Sequence, residues 1–326
     1  MARHIIPEII ERAEPRQERI SAPARPVALS LVRSLRPSQW TKNLIIFGAL
    51  LFGQRLLDPR SVLYAAGAFA VFCALSGVVY LVNDIADREA DRSHPLKRHR
   101  PIASGAVPIP LAVTVAIVLA AVALASAYWL RPAFGVVGAA YLVLLVSYSG
   151  PLKHIVIIDV LTIAIGFVLR AAAGAIVINV SISHWLLFLT ILGALFLALS
   201  KRRHELVLLA DGATNHRPIL QEYTPYLLDQ MISVVTASTL VAYAIYTVSA
   251  ETVDKFNTHL LGLTLPFLLY GIFRYLYLVH QKDGGGSPSE MLLNDRPLLI
   301  CVALWATVVA VIIYGPHPDF MEGLIT

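Results

Sequence analysis

The segment from Asn83 to Asp91, Asn-Asp-Ile-Ala-Asp-Arg-Glu-Ala-Asp, gathers the side chains best suited to chemistry. Asp84, Asp87 and Asp91 stand at i, i+3 and i+7, with Asn83 one turn before Asp87. On a continuous helix the four share an arc of about 100°. Three carboxylates and an amide on one face repel unless a cation neutralises them. Hard oxygens in open geometry suit Mg2+ held jointly with the phosphates of a substrate. A solvated acidic helix end neutralised by arginines is the plainer reading. Position favours the metal site, because the cluster lies where an apolar stretch gives way to a basic loop.

That loop, His94 to Gly105, carries Lys97, Arg98 and Arg100, and its prolines keep it from being helical. Lys97 and Arg100 are candidate contacts for a phosphorylated leaving group, although a cytoplasmic excess of basic residues also accounts for them. Tyr148 and Lys153 flank the Gly150-Pro151 turn. Lys153 would place a point charge on a phosphate and Tyr148 a hydrogen bond, while Tyr148 also suits an interfacial aromatic. Lys42, beside Gln39 and Asn43, is a further phosphate candidate, whereas Trp40 fits an interface anchor.

Asp159 stands in an otherwise apolar run, and an ionisable group within a membrane defaults to a functional or paired role. It would either face ribose hydroxyls or the metal, or pair with Lys153. Arg170 lies on nearly the same face, but about 16 Å further along the axis, too far for a direct pair. The ten histidines show no metal spacing.

The elements that must position these residues are membrane helices. Of 326 residues, 57% are hydrophobic and 14% charged, against roughly 25% charged in a soluble domain. Apolar runs mark nine candidate spans: 41–57, 61–83, 110–130, 134–149, 155–178, 184–200, 230–250, 258–280 and 298–315. Proline and glycine punctuate several of their ends. Twenty Lys/Arg residues fall on one side of this layout and only Arg55, Arg60, Arg131 and Lys255 on the other. The bias predicts a cytoplasmic amino terminus, a cytoplasmic site and an external carboxyl terminus in the cytoplasmic membrane. Residues 1–34 read as a polar, partly disordered tail without a signal peptide, and 35–326 as the membrane domain. Gly284 to Ser287 read as a linker. Cys73 and Cys301 lie in apolar runs as small core residues.

The acidic motif and the basic Arg-Pro loop that follows it resemble the UbiA superfamily of intramembrane prenyltransferases, across Leu35 to Tyr314. Finer features resemble its phosphoribosyl-transferring branch. These are Arg36 to Asn43, Lys97 to Gly105, Tyr148 to Asp159 with Arg170 and Gly174, and Lys201 to Leu206. The resemblance implies an all-α nine-helix bundle and a Mg2+-dependent transferase. Such an enzyme would move the phosphoribosyl group of phosphoribosyl diphosphate to a polyprenyl (decaprenyl-type) phosphate, releasing diphosphate.

One departure from the wider superfamily has physical weight. Where typical members carry a second aspartate motif, this chain has Lys201, Arg202 and Arg203, with Glu205 the acidic residue nearby. A basic run repels Mg2+ and attracts an anion, so the three are expected to hold the acceptor's phosphate. Headgroup anchoring is the alternative. Two other functions stay open: prenyl transfer from a prenyl diphosphate to an aromatic or glycerophosphate acceptor, and secondary transport. The expected partners are the two substrates and the lipid bilayer. Nucleic acid is not among them, and a homo-oligomer is compatible with the sequence.

Overall fold

Prolines and short capping side chains start the helices. Asp58 accepts a hydrogen bond from the Arg60 N–H at 3.1 Å, Thr224 from the Leu227 N–H at 3.1 Å and Asp295 from the Leu298 N–H at 2.9 Å. Each satisfies a first-turn donor that has no partner within the helix. Pro59, Pro132 and Pro225 open their helices at positions where a missing N–H costs nothing.

The computed structural model describes residues 26–94, 97–210, 218–282 and 288–315. The expected tail up to residue 25 and the 284–287 linker lie outside the described residues. The helices are α1 (Val27–Ser34), α2 (Gly48–Phe52), α3 (Pro59–Ala86), α4 (Arg88–Ser93), α5 (Ile109–Leu130), α6 (Pro132–Ser149), α7 (Ile158–Val177), α8 (His184–Ala210), α9 (Pro225–Val248), α10 (Ala250–Phe256), α11 (Leu265–Gln281), α12 (Pro288–Asn294) and α13 (Arg296–Tyr314). Tighter 3-10 turns join them, and no strand occurs among the described residues.

Eight helices are long and apolar enough to cross a bilayer: α3, α5, α6, α7, α8, α9, α11 with its leading turn, and α13. The chain is an integral membrane protein of all-α class. The first of the nine expected spans is different. Residues Pro37–Phe47 form a 3-10 run that leads into the five-residue α2. Such a run rises about 2.0 Å per residue against 1.5 Å in an α-helix. With α2 it therefore covers roughly 30 Å, the reach of a span without being one long α-helix.

Burial ranks the helices. In their apolar windows α3 and α7 are each 56% buried, whereas α5 is 17% buried and faces outward. The 3-10 run lies against both central helices. Gly174 of α7 permits this approach, since a Cβ there would sit 2.2 Å from the Ile46 carbonyl oxygen. Small residues allow such backbone contact where lipid supplies no hydrophobic drive between helices. Ile46, Phe72, Phe134 and Tyr141 fill the space between α2, α3, α6 and α7. A second cluster, with Val160, Leu199, Leu228 and Tyr275, ties α7 and α8 to α9 and α11.

Candidate active site

The acidic segment straddles a helix break. α3 ends at Ala86, Asp87 takes φ −91° and ψ 6°, and α4 resumes at Arg88. The four residues therefore do not lie on one uninterrupted helix, as the spacing alone suggests. Asp84 (2% exposed) pairs with Arg36 and, at 3.2 Å, with Arg100. Asp91 is buried and binds the same Arg100 at 2.6 Å. Asp87 is half-buried and bonds Lys153 at 2.5 Å. Asn83, half-buried, stands beside Asp84.

Three separate segments deliver these cations. Arg36 sits in the left-handed region at φ 52°, immediately before the 3-10 run, with its guanidinium 4.7 Å from the Tyr80 ring centroid. Arg100 is carried by the loop after α4. Buried Ile102 pins that loop, and Arg92 Nε donates to the Ala103 carbonyl at 3.1 Å. Lys97 opens a short turn in the same loop and is half-buried. Lys153 belongs to the Leu152–His154 turn that follows Gly150-Pro151.

Behind this rim lies a second, closed network. Asp159 is 0% exposed, and its partner is Arg202, through Nε at 2.7 Å, not Lys153. Arg202 also donates to Glu205 at 2.6 Å and to the Tyr148 hydroxyl at 3.0 Å. The Tyr223 hydroxyl donates to Asp159 at 3.0 Å and accepts the Ile157 N–H at 2.7 Å. Ile157 is a β-branched residue at φ 69°, a conformation that surrounding contacts must hold in place. Burial pushes the Tyr223 phenol up to about 12, so it remains a donor at neutral pH. Both Asp159 oxygens are thus engaged by protein groups.

The basic run at the end of α8 does not form one patch. Successive helical residues point about 100° apart. Arg202 turns into the network, Arg203 binds Asp229 at 2.5 Å, and Lys201 lies 3.9 Å from Glu205. The expectation that all three hold one phosphate meets carboxylates already beside each of them: Glu205 at Lys201, Asp159 and Glu205 at Arg202, and Asp229 at Arg203.

A third group lies deeper. Arg170 Nε donates to Asn43 Oδ1 at 2.7 Å, and its other nitrogens donate to the Tyr141 hydroxyl at 2.6 Å and the Gly166 carbonyl at 3.0 Å. Asn43 is fully buried and also meets Ser76 and Cys73. Lys42 forms no ion pair among the described residues, and Lys201, Arg170 and Arg36 lie close enough for their charges to act on it. A mainly apolar cavity of about 470 Å³ opens within the bundle. Leu44, Ile45, Phe167 and Leu197 line it, together with Tyr246, Lys255 and Trp305 among its other walls.

Residues 44–300 match the UbiA prenyltransferase family over most of the bundle just described. The chain belongs to that family. A decaprenyl-phosphate phosphoribosyltransferase from Corynebacterium glutamicum is 32% identical to this UbiA-family chain over 298 residues, 90% of this chain and 89% of that protein. One from Mycolicibacterium smegmatis is 33% identical, over 93% of this chain and 97% of its own length. A solved UbiA homolog from Archaeoglobus fulgidus, bound to DMAPP and Mg2+, has the same fold. It superposes at a TM-score of 0.68 with 19% identity, over 88% of this chain and all of that one.

In this UbiA-family site no three acidic, histidine or cysteine side chains are gathered into a preformed metal cage among the described residues. The donor chemistry nevertheless fits Mg2+. This ion keeps several waters and takes one or two carboxylates together with substrate phosphates, in preference to an all-protein cage. Three carboxylates here meet Arg36, Arg100 and Lys153, so their charge is balanced by groups able to turn toward phosphate oxygens. Sequence reading missed Arg36, Asn43, Arg170 and Tyr223 as site residues. Arg36 and Asn43 lay inside a quoted motif, and the charge of Arg170 in an apolar run was a signal. Nothing in sequence marked Tyr223.

Proposed function

We propose that this chain transfers the 5-phosphoribosyl group of phosphoribosyl diphosphate to a polyprenyl phosphate of decaprenyl type, releasing diphosphate, in a Mg2+-dependent reaction at the cytoplasmic face. The observation that carries the reading is the end of α8. Arg202 stands buried against Asp159 where the wider superfamily has a second aspartate motif, which leaves one acidic diphosphate cradle instead of two. The relatives named above, similar along nine-tenths of the chain, support the same reading.

Asp84, Asp87 and Asp91, with Asn83, would hold the metal with the donor's diphosphate. Bound there, Mg2+ would supply neutralisation of the charge that develops on the leaving group. Arg36, Lys97, Arg100 and Lys153 would turn their charged hydrogen bonds onto the diphosphate oxygens. A lipid phosphate oxygen forms the new bond to the anomeric carbon as the bond to diphosphate breaks, its electron pair leaving with diphosphate. The attacking phosphate is already anionic, so no strong general base is needed. The apolar cavity would take the start of the polyprenyl chain, holding its phosphate in line with the donor. Tyr148, bonded to Arg202, and Asp159 act from behind by fixing the turn that bears Lys153.

Purified protein in lipid nanodiscs, given Mg2+ and either phosphoribosyl diphosphate with decaprenyl phosphate or a prenyl diphosphate with an aromatic acceptor, tests this directly. Turnover with the first pair alone is expected. Turnover with the second pair alone would replace the proposal by prenyl transfer.

A further inference from the structure

Arg170 is 6% exposed in the middle of α7, and every hydrogen-bond partner it has among the described residues is neutral. The rings of Tyr141 and Phe167 lie 4.7 and 5.1 Å from its guanidinium carbon. These partners fix its geometry without cancelling its charge. Lys42 also lacks a paired carboxylate among the described residues, and it feels the positive charges of Arg170 and Lys201. Two uncompensated cations side by side within a membrane bundle are costly and call for an anion.

The elements that carry these cations also line the apolar cavity. Leu44 and Ile45 follow Lys42 on the 3-10 run, Phe167 precedes Arg170 by one turn, and Leu197 precedes Lys201 by one turn. Three elements thus each place a cation about one turn from a wall residue of the same cavity. A charged head beside an apolar chamber has the outline of a lipid bearing an anionic end. By contrast, Arg202 and Arg203 are already occupied by Asp159, Glu205 and Asp229.

We propose that Lys42 and Arg170, joined by Lys201, form the seat for the monoester phosphate of the lipid acceptor, in place of the Lys201–Arg203 run. This rests on the polyprenyl-phosphate reading above. The seat adjoins the acidic rim, since Arg36 of the rim also acts on Lys42, and differs from it in that Lys42 and Arg170 meet no carboxylate among the described residues. It separates the two phosphates of the reaction by charge type: metal and carboxylate for the donor, cations for the acceptor.

Farnesyl phosphate and farnesol serve as probes, bound to the protein in phosphatidylcholine nanodiscs without donor or Mg2+. The wild type is expected to prefer farnesyl phosphate by roughly ten- to a hundredfold, the scale of a charge-assisted contact. Arg170→Gln and Lys42→Met are expected to lose that preference while still binding farnesol, and Arg131→Gln at the other end of the bundle to retain it. Should Arg170→Gln fail to fold, Lys42→Met decides alone, since Lys42 is half-buried and bonds no described side chain. Wild-type preference in Lys42→Met overturns the proposal. So does displacement of farnesyl phosphate by equimolar ribose 5-phosphate, which would assign the seat to the donor. Loss of preference in both variants upholds the seat even if phosphoribosyl diphosphate proves not to be the donor. Retained preference alongside normal phosphoribosyl transfer removes the seat and leaves the function standing.

Discussion

The ends of α3 and α8 carry much the same chemistry, aspartates facing arginines at one end of the bundle, yet they are built for opposite purposes. At α3 the cations come from three segments; Arg36, Arg100 and Asp87 keep part of their side chains exposed, while Asp84, Asp91 and Lys153 are buried. In the proposed reaction those pairs would part to admit phosphate and metal. At α8 the Asp159–Arg202 pair is 0% and 2% exposed and is closed further by Tyr223, Tyr148 and Glu205. It locks α7 to α8 and holds the strained Ile157 that leads out of the Lys153 turn. Charge type alone does not set the two ends apart, and neither does the burial of one residue, since Asp84 is 2% exposed like Arg202; the part-exposed Arg36, Arg100 and Asp87 have no counterpart in the Asp159–Arg202 pair.

Substitutions at the two ends should therefore fail in different ways. Asp87→Asn at the open rim is expected to lower kcat roughly a hundred- to a thousandfold, the cost of losing a group that stabilises developing charge. Its melting temperature in detergent should stay near wild type. A comparable loss of thermal stability would make the rim structural and erase the contrast. Asp159→Asn at the closed end should instead destabilise the fold by about 3 kcal/mol, because a buried guanidinium loses its fully buried counter-charge and keeps only the part-exposed Glu205. Chemical denaturation would measure this, and the fraction that remains folded should keep much of its turnover. The smallest effect is expected for Arg203→Gln. Its pair with Asp229 is part-exposed, so stability should change by about 1 kcal/mol or less. The apparent KM for lipid phosphate should not move. A raised KM for the lipid would restore Arg203 to the acceptor site.

What the sequence made legible follows from what is periodic or local. Runs of apolar residues mark the eight long helices, and the spacing of Asp84, Asp87 and Asp91 marks the rim, because both signals lie within a few turns of chain. The 3-10 form of Pro37–Phe47 was not legible. An apolar run fixes how far a segment must reach, and the rise per residue depends on packing against Gly174. The pairing of Asp159 with Arg202, 43 residues away, was equally hidden, as was that of Arg36 with Asp84, 48 residues away. Helical periodicity says which face a residue occupies on its own helix and nothing about which helix it meets. The run from Lys201 to Arg203 shows the converse: adjacency in sequence suggested one anion site, yet Lys201 and Arg202 meet Glu205 while Arg203 turns to Asp229.

The most direct test of the proposed reaction follows the donor's phosphorus atoms separately. Phosphoribosyl diphosphate labelled either at its 5-phosphate or in its diphosphate is incubated with the protein, decaprenyl phosphate and Mg2+, and the lipid and aqueous phases are then counted. Phosphoribosyl transfer at the acidic rim predicts that the 5-phosphate label enters the lipid phase and the diphosphate label stays in water, in equal amounts and only with Mg2+ present. Diphosphate label in the lipid, or 5-phosphate label confined to water while the protein consumes a prenyl diphosphate, would contradict the account.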